Sequence, residues 1–444
     1  MQENGREQWG TRVGFIFAAV GSAVGLGNLW RFPHLTGSNG GAAFLIIYLI
    51  IIALIGITIM LSELAIGRAT QLNAVGAFKK LSKKWTFVGV MGVIAGFVIL
   101  SYYSVIGGWS IGYMVRSLTG VFSGDTAELF GSFVSNTWEP LIWHAVFMGL
   151  TIGIVYNGIK GGIERASKIM IPALFIMLII IIVRSLTLPG AAEGVAFYLK
   201  PDFSKVTGGT IMAALGQAFF SLSLGMGCMV TYGSYLSKKE NLVSSSAIIP
   251  ISDTLAAFLA GLAILPAVFA FGFDPSSGPG LMFITLPAVF AQMPLGTFFG
   301  FLFFVLVTIA ALTSAISLLE VCSAYVIDEW KWSRKKTTLI MGLVIFLLGI
   351  PSSLSQGAVN INLFGMDFLS FMDYISNNVL LTLGGMFICI FVGWIWGVNN
   401  AKKEITNDGT IKFGLFGVWS ILVKFVAPIA IFILFLNSIG VFSF

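Results

Sequence analysis

Apolar residues in this chain gather into long runs, not the short alternations of a strand or the one-sided stripe of a surface helix. Eleven runs stand out, over about 11–36, 41–70, 86–118, 141–158, 164–187, 208–236, 244–273, 296–330, 336–352, 368–398 and 412–441. They repeatedly reach the roughly 20 residues that a helix needs to cross a bilayer. Open strands in hydrocarbon would leave backbone groups unpaired, so each run predicts a spanning helix. The pattern implies an all-α polytopic membrane protein with a single domain over 1–444.

Two of the runs are interrupted. "FIFAAVGSAVGLGNLWRFP" (Phe15 to Pro33) crowds Gly21, Gly25 and Gly27 together, follows them with Asn28, and places Arg31 inside an apolar span. "FFSLSLGMGCMVTYGSY" (Phe219 to Tyr235) repeats the device. The interruptions fall in runs 1 and 6, the first members of two five-helix sets, which is the sequence signature of a transporter binding site at mid-membrane. Unwound backbone frees carbonyls for a cation, and a half-helix N-terminus offers amides and a positive dipole end to an anion. Glycines also serve close helix packing. That role leaves Asn28, Ser221 and Ser223 at the same depth unexplained.

Composition agrees with a membrane assignment, at 57% hydrophobic and 10% charged residues. The net charge of +6 raises the question of a nucleic-acid partner, and its distribution excludes one. With the N-terminus inside, inner segments hold Arg6, Arg12, Arg68, Lys79, Lys80, Lys83, Lys84, Lys160, Arg165, Lys168, Lys238, Lys239, Lys331, Arg334, Lys335, Lys336, Lys402, Lys403 and Lys412. The outer side holds Arg116, Arg184, Lys200 and Lys205, and the long loops at about 119–140, 274–295 and 353–367 hold none. This asymmetry orients the chain N-terminus in, and eleven spans put the C-terminus out. Met1 to Trp9 is polar, so no removable leader is expected. Cys228, Cys322 and Cys389 lie singly in apolar helices and predict packing.

The segments "RVGFIFAAVGSAVGLGNLWRFP", "GGAAFLIIYLI", "SELAIGR", "GQAFFSLSLGMG", "ITLPAVFAQMPLGTFFGF" and "ALTSAISLLE" resemble the neurotransmitter:sodium symporters, in family order over nearly the whole chain, and most closely their short bacterial branch. The resemblance implies a leucine-transporter-like fold with two inverted repeats (about 11–187 and 208–398), an extra helix (about 412–441), and helices 1 and 6 unwound at mid-membrane. It implies a sodium-coupled symporter that takes up hydrophobic L-amino acids with two sodium ions by alternating access in a bacterial inner membrane. Sodium site 1 would use the Ala23 carbonyl, Asn28, Ser221 and an oxygen of helix 7. Site 2 would use the carbonyls of Gly21, Val24 and Ala310 with the hydroxyls of Thr313 and Ser314. A Thr-Ser pair standing alone more often bonds back to its own helix; the resemblance reverses that expectation.

By the same resemblance the substrate carboxylate would meet the amides of Leu26 and Gly27 and the hydroxyl of Tyr103. The ammonium would meet carbonyls of Ala23, Phe220 and Ser221 and the hydroxyl of Ser223. Ile99, Phe220, Met226 and Leu318 would form an apolar side-chain pocket. Met226, flanked by Gly225 and Gly227, is either a plain core residue or a thioether that re-packs around several ligands. Arg31 would pair with Asp373, or failing that Asp367, as an outer gate above Tyr103 and Phe220. Arg6 would pair with Asp328 inside, near Trp9, Ser234 and Tyr235, unless both are solvated loop charges. Glu63 would accept hydrogen bonds from the unwound part of helix 6. Glu320 has no counterpart in the resemblance and is read from its position as facing the inner vestibule.

Helix 7 reads "IIPISDTLAAFLAGLAILP". Alignment on Gly261 places Asp253 at the family's sodium-ligating position and Ala257 where chloride-dependent members carry a serine; a one-residue shift would substitute Ser252. Asp253 either snorkels to a helix end or replaces chloride beside the first sodium, near Tyr48, Gln217 and Ser221. Chloride independence is the expectation. In helix 5, Gly162 and Pro172 lie ten residues apart. Proline lacks an amide, so this stretch should unwind easily; it is either a simple kink or, as the resemblance implies, an exit for the second sodium. Rival functions fare worse. An enzyme would need convergent catalytic groups, and His34 and His144 lie near no carboxylate cluster; no repeated carbonyl filter marks a channel; a non-transporting amino-acid sensor shares the same site and differs only in turnover.

Overall fold

The computed structural model describes residues 6–274 and 280–442. Its membrane-scale helices are α1 (Arg12–Ala23), α2 (Gly27–Ser38), α3 (Ala42–Thr70), α4 (Lys83–Ser117), α5 (Glu139–Tyr156) and α6 (Ile159–Leu186). There follow α7 (Gly208–Ser221), α8 (Cys228–Gly233), α9 (Leu242–Ala270), α10 (Gly296–Trp330), α11 (Arg334–Leu354), α12 (Phe368–Ile395) and α13 (Phe416–Ser438). Among the described residues nine single helices are long and apolar enough to span, and α1 with α2 makes a tenth as a pair bent by 53°. The sixth predicted run, 208–236, is not one helix. It is divided into α7 and α8 by Leu222 to Gly227, where Ser223, Gly225 and Gly227 take positive φ of 54°, 79° and 76°, a conformation that continues no right-handed helix.

The loops carry more structure than their composition suggests. Thr126–Ser135 and Leu281–Gln292 are helices, and Asn362–Leu363 pairs antiparallel with Met366–Asp367 in a small hairpin before α12. Residues 275–279 of the predicted 274–295 loop lie outside the described residues.

The core is organised around the broken helices. α1 packs against α6, α9 and α10, while α10 lies along α4 for most of its length. α8 packs on α3 with no side chain between: a Cβ on Gly67 would come within 2.1 Å of the Val230 carbonyl oxygen. The break between α7 and α8 is gripped from two sides. Gly225 N–H donates to Glu63 Oε1 at 2.7 Å from α3, as expected of Glu63. From α12, a Cβ on Gly384 would fall 2.4 Å from the Gly225 carbonyl oxygen. Arg68 is fully buried, paired at 2.6 Å with Glu404, and donates to the Glu240 carbonyl at 2.6 Å, tying α3 to the segment after α8. Cys228, Cys322 and Cys389 are buried and free.

Gly384→Ala should therefore push backbone against backbone, at the about 1–3 kcal/mol that overpacking costs. Thermal unfolding in detergent should fall for Gly384→Ala but not for Gly149→Ala, whose Cβ would meet nothing within 4 Å.

Candidate functional site

The two breaks face each other. In the first, Val24 leaves helical geometry (φ −72°, ψ 106°) and α2 opens with a wide turn in which Phe32 N–H reaches back to the Gly27 carbonyl. Asn28 Oδ1 accepts from Gly25 N–H at 2.9 Å, so a side chain replaces a lost helical partner. A cavity between the breaks is lined by nine of the ten residues expected to hold substrate: Ala23, Gly27, Ile99, Tyr103, Phe220, Ser221, Ser223, Met226 and Leu318. The tenth, Leu26, reaches it through its amide, which donates to the Tyr103 hydroxyl at 3.1 Å. Ser22 and Gly25 also line it and had no predicted role. Ser22 enters through its carbonyl, which accepts from Ser223 Oγ at 2.8 Å. Gly25 enters through its lack of a side chain, since a Cβ there would lie 2.5 Å from Ser314 Oγ and 2.8 Å from the Tyr103 hydroxyl. One end of the cavity thus carries hydroxyls and a backbone amide, and Ile99, Met226 and Leu318 make the other end apolar.

Beside the cavity lies a buried carboxylate. Asp253, 0% exposed, accepts from Asn28 Nδ2 at 2.8 Å and from Ser221 Oγ at 2.8 Å. This fixes the register of α9: Asp253, not Ser252, meets the two breaks. Tyr48 stands next to it, and Gln217 donates to the Gly27 carbonyl at 3.0 Å in the same layer. Among the described residues no Lys, Arg or His pairs with Asp253 within 4.0 Å. A buried carboxylate with hydrogen-bond donors but no cationic partner is costly, and these oxygens are the ones that could hold a cation.

A second oxygen cluster sits where α10 crosses the first break. Thr313 Oγ1 lies 3.4 Å from the Val24 carbonyl and 3.0 Å from that of Ala310. Ser314 Oγ lies 3.4 Å from the Gly21 carbonyl, 3.1 Å from that of Ser22 and 3.5 Å from that of Val24. Thr313 does bond back into its own helix, yet both hydroxyls also reach across to α1. Several approaches near 3.4 Å are long for hydrogen bonds. They match the about 3.3–3.7 Å between neighbouring oxygens around a cation held at about 2.3–2.6 Å.

The gate residues differ between the two ends. Arg6 pairs with Asp328 at 2.5 Å, donates to Ser234 Oγ at 2.8 Å, and lies 4.7 Å from the centre of the Tyr235 ring. Trp9 packs edge-on against Tyr232 and Tyr235 and donates to the Tyr232 carbonyl at 3.1 Å. The reading of Arg6 and Asp328 as solvated charges fails. At the other end, among the described residues, Arg31 and Asp373 form no ion pair within 4.0 Å. Arg31 stacks 5.0 Å from the Phe220 ring centre, and Asp373 accepts from Asn377 at 2.7 Å. Asp367 is no alternative partner, because it caps α12 by accepting from Ser370 N–H at 3.0 Å. Glu320 departs from expectation. It does not line an open vestibule but is 0% exposed, bound to Arg334 at 2.6 Å and to the Tyr235 hydroxyl at 2.5 Å. An unpaired carboxylate there would cost several kcal/mol, roughly what a pair within the bundle recovers.

Known proteins are similar to this chain over nearly its full length. The sequence profile described as "Sodium:neurotransmitter symporter family" matches residues 6–139 and 132–443. The crystal structure of MhsT in complex with L-phenylalanine is similar with a TM-score of 0.90 and 48% identity, covering 98% of this chain and all of that one. The uncharacterized sodium-dependent transporter YhdH of Bacillus subtilis is 44% identical over 451 residues, covering 100% of both chains. The sodium-dependent serotonin transporter of Drosophila melanogaster is 27% identical over 488 residues, covering 98% of this chain and 77% of its own. With its broken helices, its oxygen clusters and these matches, the chain is a membrane protein that belongs to the sodium:neurotransmitter symporter family, a family of sodium-dependent transporters.

Proposed function

We propose that this protein is a sodium-coupled, chloride-independent symporter that takes up hydrophobic L-amino acids, aliphatic and aromatic, by alternating access. The observation that carries the reading is the cavity between the breaks, polar at one end and apolar at the other. The Leu26 and Gly27 amides and the Tyr103 hydroxyl would receive a carboxylate. Ser223 and the carbonyls of Ala23, Phe220 and Ser221 would receive an ammonium. Ile99, Phe220, Met226 and Leu318 leave a side chain only apolar contact. The L-phenylalanine bound in the structure of MhsT supports the same substrate class.

The first sodium would sit among Asn28, Ser221, Asp253 and the Ala23 carbonyl, and the second among Gly21, Val24, Ala310, Thr313 and Ser314. Hard oxygen ligands suit a hard cation. Each ion bridges a broken helix to a neighbour, so sodium favours the state in which the breaks are held together and the substrate site is complete. Arg31 and Asp373 form the outer gate; Arg6, Asp328, Trp9 and Tyr235 form the inner one. The Lys and Arg distribution supports a bacterial cytoplasmic membrane with the N-terminus in. Counting α7 and α8 as one broken span puts the C-terminus out and divides a single domain into two five-span repeats and α13.

Proteoliposomes with an imposed sodium gradient test the reading. Labelled L-phenylalanine should accumulate only with sodium, and apolar members of the twenty amino acids should compete while charged ones do not. Binding without accumulation would indicate a sensor. In the same assay, Thr313→Ala with Ser314→Ala removes two oxygen ligands and should raise the half-saturating sodium by at least the about 10–100-fold that loss of an outer ligand partner costs a metal site. Unchanged sodium dependence would reject the second site.

Asp253 supplies the fixed negative charge that makes an added anion unnecessary. Wild-type uptake should therefore be equal in chloride and in gluconate. Asp253→Asn should depress uptake and weaken sodium affinity, with chloride restoring part of the loss. Wild-type uptake that fails in gluconate would refute chloride independence.

A further inference from the structure

Glu164 has no role in the site described above, yet its surroundings are built for it. The side chain, 3% exposed, accepts from Gly10 N–H at 2.7 Å, from the Thr11 hydroxyl at 2.8 Å and from Lys168 Nζ at 2.6 Å. Thr11 is the residue that caps α1, accepting from Gly14 N–H at 3.0 Å. The carboxylate therefore sits at the N-terminus of α1, where a negative charge is favoured by the helix dipole. It fits only because Gly14 is bare: a Cβ there would lie 2.3 Å from the Glu164 carboxyl group.

Seven residues further along both helices the contact repeats. A Cβ on Gly21 would meet Ile171 Cδ1 at 3.1 Å and Thr313 Cβ at 3.1 Å. Residues seven apart share a helix face, so α6 leans on α1 at two glycines, Gly14 under Glu164 and Gly21 under Ile171. The upper contact adjoins the oxygen cluster of Gly21, Thr313 and Ser314. On either side of the two contacts α6 is intrinsically weak. It begins with wide turns over Ile159–Glu164, and Pro172, inside the helix, has no amide to donate.

We propose that Glu164 is a positioning residue that latches the start of α6 to the start of α1 and so holds back the unwinding of residues 162–172 that the family resemblance implies; freeing it withdraws Ile171 from Gly21 and opens the second oxygen cluster to water. The sodium part of this rests on the reading that the cluster holds sodium. While the carboxylate is docked, the weak stretch stays wound. When α1 moves off, Glu164 loses two donors at once and the stretch has only Lys168 to hold it.

Hydrogen exchange measured by mass spectrometry on the purified full chain tests this, following peptides over 159–172, 310–318 and, as a control, 334–354. Glu164→Ala should speed exchange at 159–172 by tenfold or more in saturating sodium, and should raise the sodium concentration that half-protects 310–318. Glu164→Gln keeps an acceptor for Gly10 and Thr11 and should fall between it and wild type. Gly14→Ala is the sharper variant, because alanine favours a helix and would stabilise α1 if the carboxylate were not evicted. It should reproduce the Glu164→Ala effect. In the double variant the methyl group occupies vacated space, so exchange should be no faster than in Glu164→Ala alone, the non-additivity of a shared contact. Additive effects, equal acceleration at 334–354, or no acceleration at 159–172 would overturn the latch. Acceleration with unchanged sodium protection would overturn its link to the ion. Wild type whose 310–318 peptide ignores sodium would reject the sodium reading of the cluster itself.

Discussion

A helix interrupted inside a bilayer exposes amides and carbonyls that hydrocarbon cannot satisfy. Everything at the centre of this protein answers that constraint. Asn28 Oδ1 takes up the Gly25 amide, Glu63 takes up that of Gly225, and Tyr103 takes up that of Leu26. The carbonyls of Gly21 and Val24 are left against the Ser314 and Thr313 hydroxyls at 3.4–3.5 Å. Glu63 and Tyr103 come from other helices, so the breaks are stable only when those neighbours are in place. Ligands that complete the set then bias which arrangement of helices is favoured, which is what coupling requires.

The same logic closes one side of the molecule. Residues 6–12 form a strap whose members reach different supports: Arg6 to Asp328, Glu7 to Arg334 and the Ile159 amide, Trp9 to Tyr232, Gly10 and Thr11 to Glu164, and Arg12 to Glu240 at 3.0 Å. The half-exposed pairs, Glu7 with Arg334 and Arg12 with Glu240, contribute about 0–1 kcal/mol each. Together the strap's contacts tie α1 to α6, α8, α9, α10 and α11. At the opposite end the expected gate residues are not joined to each other. Arg31 rests on Phe220 and Asp373 on Asn377, so the outer pair stays apart while the inner pairs are made.

Much of the fold was legible because hydrocarbon imposes length and apolarity directly on sequence; the run at 296–330 coincides with α10. The breaks were legible because glycine clusters are costly in a plain helix. The individual ligands were legible only through family resemblance, because a carbonyl ligand leaves no trace in residue identity. Ser22 contributes by its backbone and Gly25 by lacking a side chain, which explains why neither was singled out. Glu320 was misread because its partners, Arg334 and Tyr235, are distant in sequence or follow a break, and polarity alone does not distinguish a vestibule from a buried pair. The register at Asp253 stayed open for a related reason: neighbouring positions on a helix differ by about 100°, and only the packing of α9 against both breaks selects one.

If the ions and the substrate complete one shared set of partners, their binding must be thermodynamically linked and reciprocal. The direct measurement is equilibrium binding of L-phenylalanine to the purified protein across a sodium series, paired with sodium binding across an L-phenylalanine series. The account predicts that each ligand tightens the other by the same factor, and that the factor falls toward one in Asn28→Ala. Substrate affinity that is indifferent to sodium in the wild type would contradict it.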